Sequence, residues 1–247
     1  MNKIEILKSE KDGLKIKADI PRMAKEGWES ISEDDIQRLK WYGLFLRNPT
    51  PGFFMLRVRI PNGFSVSYQI RALCFIAETF GNGIIDITTR QQVQLRQLKI
   101  ENVPEVFDIL EEAGLTSTQT GLDNVRNIIG CPVAGLNPKE RVNPYAQVKA
   151  LTEHILNNSE FSNLPRKFNV AISGCMSDCV HAETQDLALV PAVQEKGGNR
   201  VYGFNVLVGG KLGSGGYRIA TSLDVFVSPE EVVEVCSAII LLYRDHG

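Results

Sequence analysis

Histidine is scarce in this chain: only His154, His181 and His246 occur in 247 residues. No serine, histidine and aspartate stand in an arrangement that suggests a nucleophile and its base, so histidine-based acid–base chemistry is thinly supported. Long apolar runs are lacking too. No window approaches the ~18 uninterrupted apolar residues of a membrane helix, so no membrane span is expected. The opening MNKIEILKSEKDGLKIK is charged throughout and has no apolar segment of the kind a signal peptide carries. A cytoplasmic protein is the expectation. An excess of one charge is also missing: the net charge of −2 gives no global reason to expect nucleic acid or a membrane surface. Any anion site must therefore come from local arrangement. Five cysteines, an odd number, do not suit a disulfide framework. Where cysteines cluster in such a chain, metal or redox chemistry is the reading.

What is present is an ordinary globular composition, 43% hydrophobic and 23% charged, long enough for one large domain or two modest ones. Residues 1–50 read as an arm with short helices, one of them opened by Ser32 and followed by acids. FFMLRVRI alternates as a strand with Arg57 and Arg59 on one face, and SVSYQIRALCFIAETFG has helical spacing through Ile70, Leu73, Cys74, Ala77 and Phe80, stopped by Gly81. GIIDITTRQQVQLRQLKI reads as a long, nearly continuous strand. VPEVFDILEEAGL is a helix between Pro104 and Gly114. Strand, helix, strand and helix over 51–116 predict a small α/β sandwich module. The stretch 117–144 is polar and aperiodic. Beyond it come a helix in YAQVKALTEHILNN, strands in KFNVAIS, DLALVPAV and YGFNVLVGG, and a terminal helix in SPEEVVEVCSAIILLYRDHG. The fold class expected is α+β.

Two groups of residues carry chemical promise. Cys74 and Cys236 lie on apolar helix faces and read as packing. Cys175 and Cys179, in SGCMSDCVHAE, end a strand on a turn of small residues where both thiolates could face one centre, with Cys131 of GCPVAG as a third donor and His181 as a possible partner. A metal role and unliganded loop thiols both remain open, because a zinc or iron–sulfur site needs a fuller ligand set. Arg57, Arg126 and Lys167 adjoin strand ends, and guanidinium forks with an ammonium group hold oxyanions or carboxylates. TTRQQVQLR adds hydroxyl, amide and guanidinium groups at Thr88, Arg90, Gln92, Gln94 and Arg96. The glycine-rich VGGKLGSGGYR, 208–218, lacks the spacing of a phosphate loop, and a plain glycine turn is the simpler reading.

Taken together, FFMLRVRIPNG, DITTRQQVQLR, LTSTQTGLDNVRNIIGCPVAG, SNLPRKFNVAISG, HAETQDLALVPA and YGFNVLVGG resemble the nitrite and sulfite reductases that carry sirohaem and a [4Fe–4S] cluster. The likeness is strongest to the ferredoxin-dependent nitrite reductases, and it extends to the opening NKIEILKSEKDGLKIK. It implies a ferredoxin-like module at 51–116 followed by a larger sirohaem-binding α+β domain at 117–247, together the N-terminal half of such an enzyme. Position by position, it implies that Arg57, Arg126, Lys167 and Asn169 surround the substrate anion, and that Thr88, Arg90, Gln94 and Arg96 hold the carboxylates of the macrocycle. It further implies ferredoxin as electron donor, nitrite as substrate, and no turnover without the second half. Asparagine at 169, where sulfite reductases tend to have lysine, favours nitrite. A sulfite reductase half and a non-catalytic half-length binding protein are the alternatives. The cysteines depart from the family pattern, whose four cluster ligands lie in the second half. Cys131, Cys175 and Cys179 are therefore expected as echoes of that site or as auxiliary thiols rather than as a complete ligand set.

Overall fold

The computed structural model describes residues 3–213 and 215–247. Met1 and Asn2, which open the charged N-terminal stretch, and Ser214, inside the glycine-rich stretch, lie outside the described residues. The chain divides into two compact units. The first holds the residues up to Ile60, Ser65–Asn124 and Asn157–Lys167, and the second holds Pro61–Phe64, Val125–Leu156 and Phe168–Gly247.

In the first unit three short helices come first: α1 (Lys3–Glu10), α2 (Ile20–Glu26) and α3 (Glu33–Leu39). The Ser32 hydroxyl accepts from the Asp35 N–H, and three acids occupy the first turn of α3, as the sequence suggested. A four-stranded antiparallel sheet follows, built from β1 (Leu44–Arg47), β2 (Thr50–Val58), β3 (Ile85–Ile87) and β4 (Val93–Leu98) in the order β1-β2-β4-β3. Between β2 and β3 runs α4 (Ser67–Phe80), and after β4 comes α5 (Val103–Glu112). The two helices pack on each other, and α4 lies on β3 and β4. Val103, Val106 and Leu110 face inward from α5 at helical spacing, joining Leu73, Ile76 and Ala77 of α4. The same core takes in Leu7, Ile16, Ile20 and Met23 from the first fifty residues.

Two expectations need correction here. The long strand over 83–100 is a hairpin: β3 and β4 pair antiparallel, Ile85 with Leu95 and Ile87 with Val93. Gln91 has φ +53, and the Thr88 hydroxyl accepts from the Gln92 N–H at 3.1 Å, so 88–92 is a turn. Polar turn residues simply continued the alternation of the strands on either side. Cys74 is only half-buried and Ile70 is exposed, because the inward stripe of α4 runs through Leu73, Ile76 and Ala77. Gly81 ends α4 as the sequence suggested, and close approach calls for a glycine there, since a Cβ would lie 2.6 Å from the Arg96 carbonyl oxygen.

The second unit is built on a five-stranded mixed sheet. Its strands are β5 (Ile129–Gly130), β6 (Val170–Ile172), β7 (Leu187–Lys196), β8 (Asn199–Val208) and, beyond a small hairpin of β9 (Lys211–Gly213) and β10 (Gly216–Arg218), β11 (Thr221–Val227). The order is β11-β8-β7-β6-β5. The pairs β5–β6 and β6–β7 are parallel, while β7–β8 and β8–β11 are antiparallel. Helices α6 (Tyr145–Ile155) and α7 (Val232–His246) pack on each other. Cys236 is fully buried on α7, as its apolar setting predicted. At the start of α7 the Glu231 carboxylate accepts from the Ser228 N–H at 2.9 Å. The glycine-rich stretch forms the β9–β10 hairpin, with Gly209 and Gly216 at positive φ.

Candidate functional site

In the first unit the β2–β4 pairing sets Arg57 directly opposite Gln94. The Arg57 Nη1 donates to the Thr120 carbonyl at 3.1 Å, and its guanidinium lies 4.7 Å from the centre of the Phe45 ring. The backbone on either side is pinned as well: the Arg57 N–H donates to the Gly43 carbonyl at 2.9 Å, and the Thr120 hydroxyl donates to the Arg57 carbonyl. Burial, and after it the neighbouring Arg90 and Arg96 cations, hold the Arg57 guanidinium below its usual pKa range. Like charges repel, so an anion placed beside Arg57 and these two cations is favoured. Arg96 already ion-pairs with Asp86 across the β3–β4 hairpin.

The turn correction changes how the polar residues assemble. Gln94 and Arg96 stand on β4, whereas Thr88 and Arg90 belong to the turn, so the four do not share one strand face. Arg90 and Arg96 nevertheless both stand close enough to Arg57 to act on its guanidinium. Gln92 in the same turn is buried, and its side-chain nitrogen has no hydrogen-bond partner. Donors in excess of acceptors suit a ligand rich in carboxylates.

Sequence reasoning placed Arg59 on the strand but missed its burial: it is 1% exposed and donates from Nη2 to the Gln119 carbonyl at 2.8 Å. Burial lowers its pKa to about 10. Thr118, Gln119, Thr120 and Asn124 are buried too, within the stretch that read as polar and aperiodic. The available signal was their lack of charge: from Ser117 to Asn124 only Asp123 is ionised.

In the second unit Arg126 and Asn169 come together. Val125 and Phe168 form a parallel bridge, and one residue on, the Arg126 N–H donates to the Phe168 carbonyl at 2.8 Å. Asn169 is fixed by its own backbone, its N–H donating to the Asp186 carboxylate at 2.8 Å and its carbonyl accepting from Leu187. Both side chains are half-buried. Lys167 belongs to the first unit and is exposed.

The three candidate metal ligands also lie in the second unit. Cys131 and Cys175 are each 2% exposed, and Cys179 is exposed. Burial pushes the Cys131 thiol up, and the neighbouring Cys175 and Cys179 push it the same way. Among the described residues no group of three His, Cys, Asp or Glu side chains stands ready to hold a metal ion. The donor set does not fit a [4Fe–4S] cluster, which needs four thiolates. A cavity of about 610 Å³ adjoins this region, lined by Pro138, Lys139, Glu140, Arg141, Met176, Ser177 and Tyr202. Among the described residues no helix is long and apolar enough to cross a membrane.

Comparison with known proteins agrees across the whole chain. Residues 121–247 match the nitrite and sulphite reductase 4Fe-4S domain, and residues 47–113 match the nitrite/sulfite reductase ferredoxin-like half domain. A ferredoxin–nitrite reductase of Leptolyngbya laminosa is 48% identical over 253 residues, spanning 100% of this chain and 49% of the relative. An assimilatory ferredoxin-dependent nitrite reductase of Haloferax mediterranei is 39% identical, spanning 100% of this chain and 45% of its own length. The solved structure of the Mycobacterium tuberculosis NirA protein superposes with a TM-score of 0.91 at 30% identity, over 98% of this chain and 47% of that one. The chain thus spans about half the length of the relatives it matches.

Proposed function

Because this chain belongs to the nitrite and sulphite reductase family, we propose that it forms the N-terminal, sirohaem- and substrate-holding half of a ferredoxin-dependent nitrite reductase, taking nitrite to ammonia with six electrons. The observation that carries this reading is the gathering of Arg57, Arg90 and Arg96 in the first unit, with Arg57 partly withdrawn from water. That donor-rich setting fits the carboxylates of sirohaem, with Thr88 and Gln94 adding a hydroxyl and an amide. Sirohaem, when bound, supplies the iron and the redox chemistry.

The chain's own residues bind and orient. Arg57, Arg126 and Lys167 contribute positive charge toward the nitrite anion, and Asn169 contributes a neutral amide. Nitrite carries one charge where sulfite carries mostly two at neutral pH, so an amide in place of a further cation suits nitrite. Guanidinium and ammonium N–H groups aimed at the oxygens stabilise negative charge as it develops there, and the Lys167 Nζ holds protons that the reaction consumes. The Thr120 carbonyl and the Phe45 ring keep the Arg57 fork from swinging away. The cysteines do not supply a cluster's ligand set, so electron entry from ferredoxin belongs to the second half of the enzyme and this half alone does not turn over.

The test is reconstitution. The chain is produced in cells that make sirohaem and assayed for ammonium with reduced ferredoxin and nitrite, alone and mixed with the second half of the Leptolyngbya laminosa enzyme. Ammonium is expected only from the mixture, and Arg126→Ala in it should raise the nitrite KM at least tenfold. Ammonium formed by the chain alone would refute the division of labour. A higher kcat/KM for sulfite than for nitrite in the mixture would make this a sulfite reductase half.

A further inference from the structure

Another cavity, of about 260 Å³, is lined entirely by residues of the first unit and shares none with the groups proposed to hold sirohaem or nitrite. Helix α5 lays Phe107, Leu110 and Glu111 along it, at a spacing that puts the three on one face. The ring centres of Tyr42 and Phe107 are 6.3 Å apart, and the Tyr42 hydroxyl is engaged by donating to the Leu14 carbonyl at 2.8 Å. The two rings, with Leu110 and Leu115, therefore give the cavity an apolar wall.

The polar lining leaves groups open. Ser117 is 4% exposed and Thr118 7% exposed. The Ser117 hydroxyl hydrogen-bonds to no described residue. The Thr116 hydroxyl donates to the Thr118 hydroxyl at 2.9 Å and accepts from the Thr118 N–H at 3.1 Å, so the Thr118 hydroxyl keeps a proton to offer. Hydroxyls buried this far without a partner are costly, and a ligand satisfies them. Lys17 and Glu111 bring opposite charges to the same cavity, and both are exposed. Among the described residues neither has an ion-pair partner, the other included, so the two charges face one cavity without closing on each other. Asn157 is held in place where its N–H donates to the Gln119 Oε1 at 2.7 Å.

We propose that this cavity binds a free α-amino acid with an aliphatic side chain. A zwitterion matches both unpaired charges at once. Its carboxylate accepts from the Lys17 Nζ and from the Ser117 and Thr118 hydroxyls, and its ammonium donates to the Glu111 carboxylate. An anion alone sets like charge against Glu111, and a cation alone does the same to Lys17. The side chain lies on Phe107, Leu110 and Leu115, out of water. At ~30 Å³ for a water-sized group the space holds roughly nine such groups, the number of non-hydrogen atoms in leucine. The site takes no part in the nitrite chemistry proposed above.

The test is calorimetric titration of the full chain with L-leucine as the probe. Saturable binding of one L-leucine per chain is expected, with Kd between the micromolar and low millimolar ranges. N-Acetyl-L-leucine lacks the ammonium and L-leucinamide lacks the carboxylate, and each should bind at least tenfold more weakly. Lys17→Met and Glu111→Gln should each weaken L-leucine at least tenfold too. Both change exposed side chains, so their urea midpoints should match the parent's and the loss is one of binding rather than folding. No saturable binding at millimolar L-leucine would overturn the proposal. Either analogue bound as tightly as L-leucine would overturn the zwitterion, and a Kd unchanged in either variant would overturn the site.

Discussion

Arg57 is the residue whose position decides most. It was legible as a strand cation because FFMLRVRI alternates, but its restraint was not, since Thr120 lies 63 residues away in sequence and no local pattern announces it. Arg57→Lys keeps the charge and loses the fork. We expect ~1 kcal/mol of lost stability from the Thr120 and Phe45 contacts, and about a tenfold weaker sirohaem affinity in an absorbance titration, equivalent to ~1.4 kcal/mol. Equal affinity would remove Arg57 from the cofactor's carboxylates. Cys236 offers a test of burial. Its thiol is pushed up to about 12 by desolvation, against an ordinary value of 9.0. The folded chain therefore holds this proton more tightly than the unfolded chain does. The corresponding stability is complete below pH 9 and is lost as pH rises from there toward 12, with a slope of up to ~1.4 kcal/mol per pH unit. Tyr42, also raised to about 12, adds loss of the same sign only from its ordinary value of 10.0 upward. Cys131, also raised from 9.0, contributes a loss of the same sign, so urea midpoints between pH 9 and 10 should fall in the parent chain and fall less steeply, without becoming flat, in Cys236→Ala, whatever that variant's baseline. A slope unchanged by Cys236→Ala would assign the pH effect to another group.

At the scale of elements, periodicity served where an element has one wet face and failed where a turn is as polar as its neighbours. Helix α5 was plain from Pro104, Gly114 and the spacing of its apolar residues. The 88–92 turn was hidden because Thr-Thr-Arg-Gln-Gln contains neither glycine nor proline. Strand β11 went unread because Asp224, at φ +53, breaks its register with β8. Gly43 shows why one backbone position matters to Arg57. It has φ +73, and a Cβ there would lie 2.6 Å from both the Arg57 carbonyl oxygen and the Thr120 hydroxyl. Gly43→Ala should cost at least ~2 kcal/mol by urea denaturation and weaken sirohaem binding with it. Gly197→Asn, at a position where a Cβ meets nothing within 4 Å, should stay within ~0.5 kcal/mol of the parent. Equal costs at the two glycines would mean that φ alone, and not the contact with Arg57, sets the penalty.

At the scale of the whole molecule, the α+β class and the family were legible because many short segments matched in order. The membership of the units was not. Pro61–Phe64 belongs with the second unit and Asn157–Lys167 with the first, and such exchange leaves no periodic trace. The charge balance has a consequence of its own. The net charge of −2 is unfavourable to an approaching polycarboxylate at long range, while the Arg57, Arg90 and Arg96 group attracts it at short range. Salt screens the first over a Debye length of ~8 Å at physiological strength and the partly buried group less. Stopped-flow binding of sirohaem between low and moderate salt should show the association rate rising while equilibrium affinity falls. An association rate that drops with salt would mean the basic group steers the encounter from afar.

The hairpin of β7 and β8 keeps register over ten pairs, from Leu187 with Val208 to Lys196 with Asn199. It turns at Gly197 and Gly198, at φ +58 and +79, with open space around both. A loop tip so placed is a site for insertion. A short epitope or a dye-binding peptide spliced between the two glycines would leave the sheet's ladder intact and give the chain a reporter on the second unit, remote in sequence from Arg57, Arg126, Lys167 and the three clustered thiols.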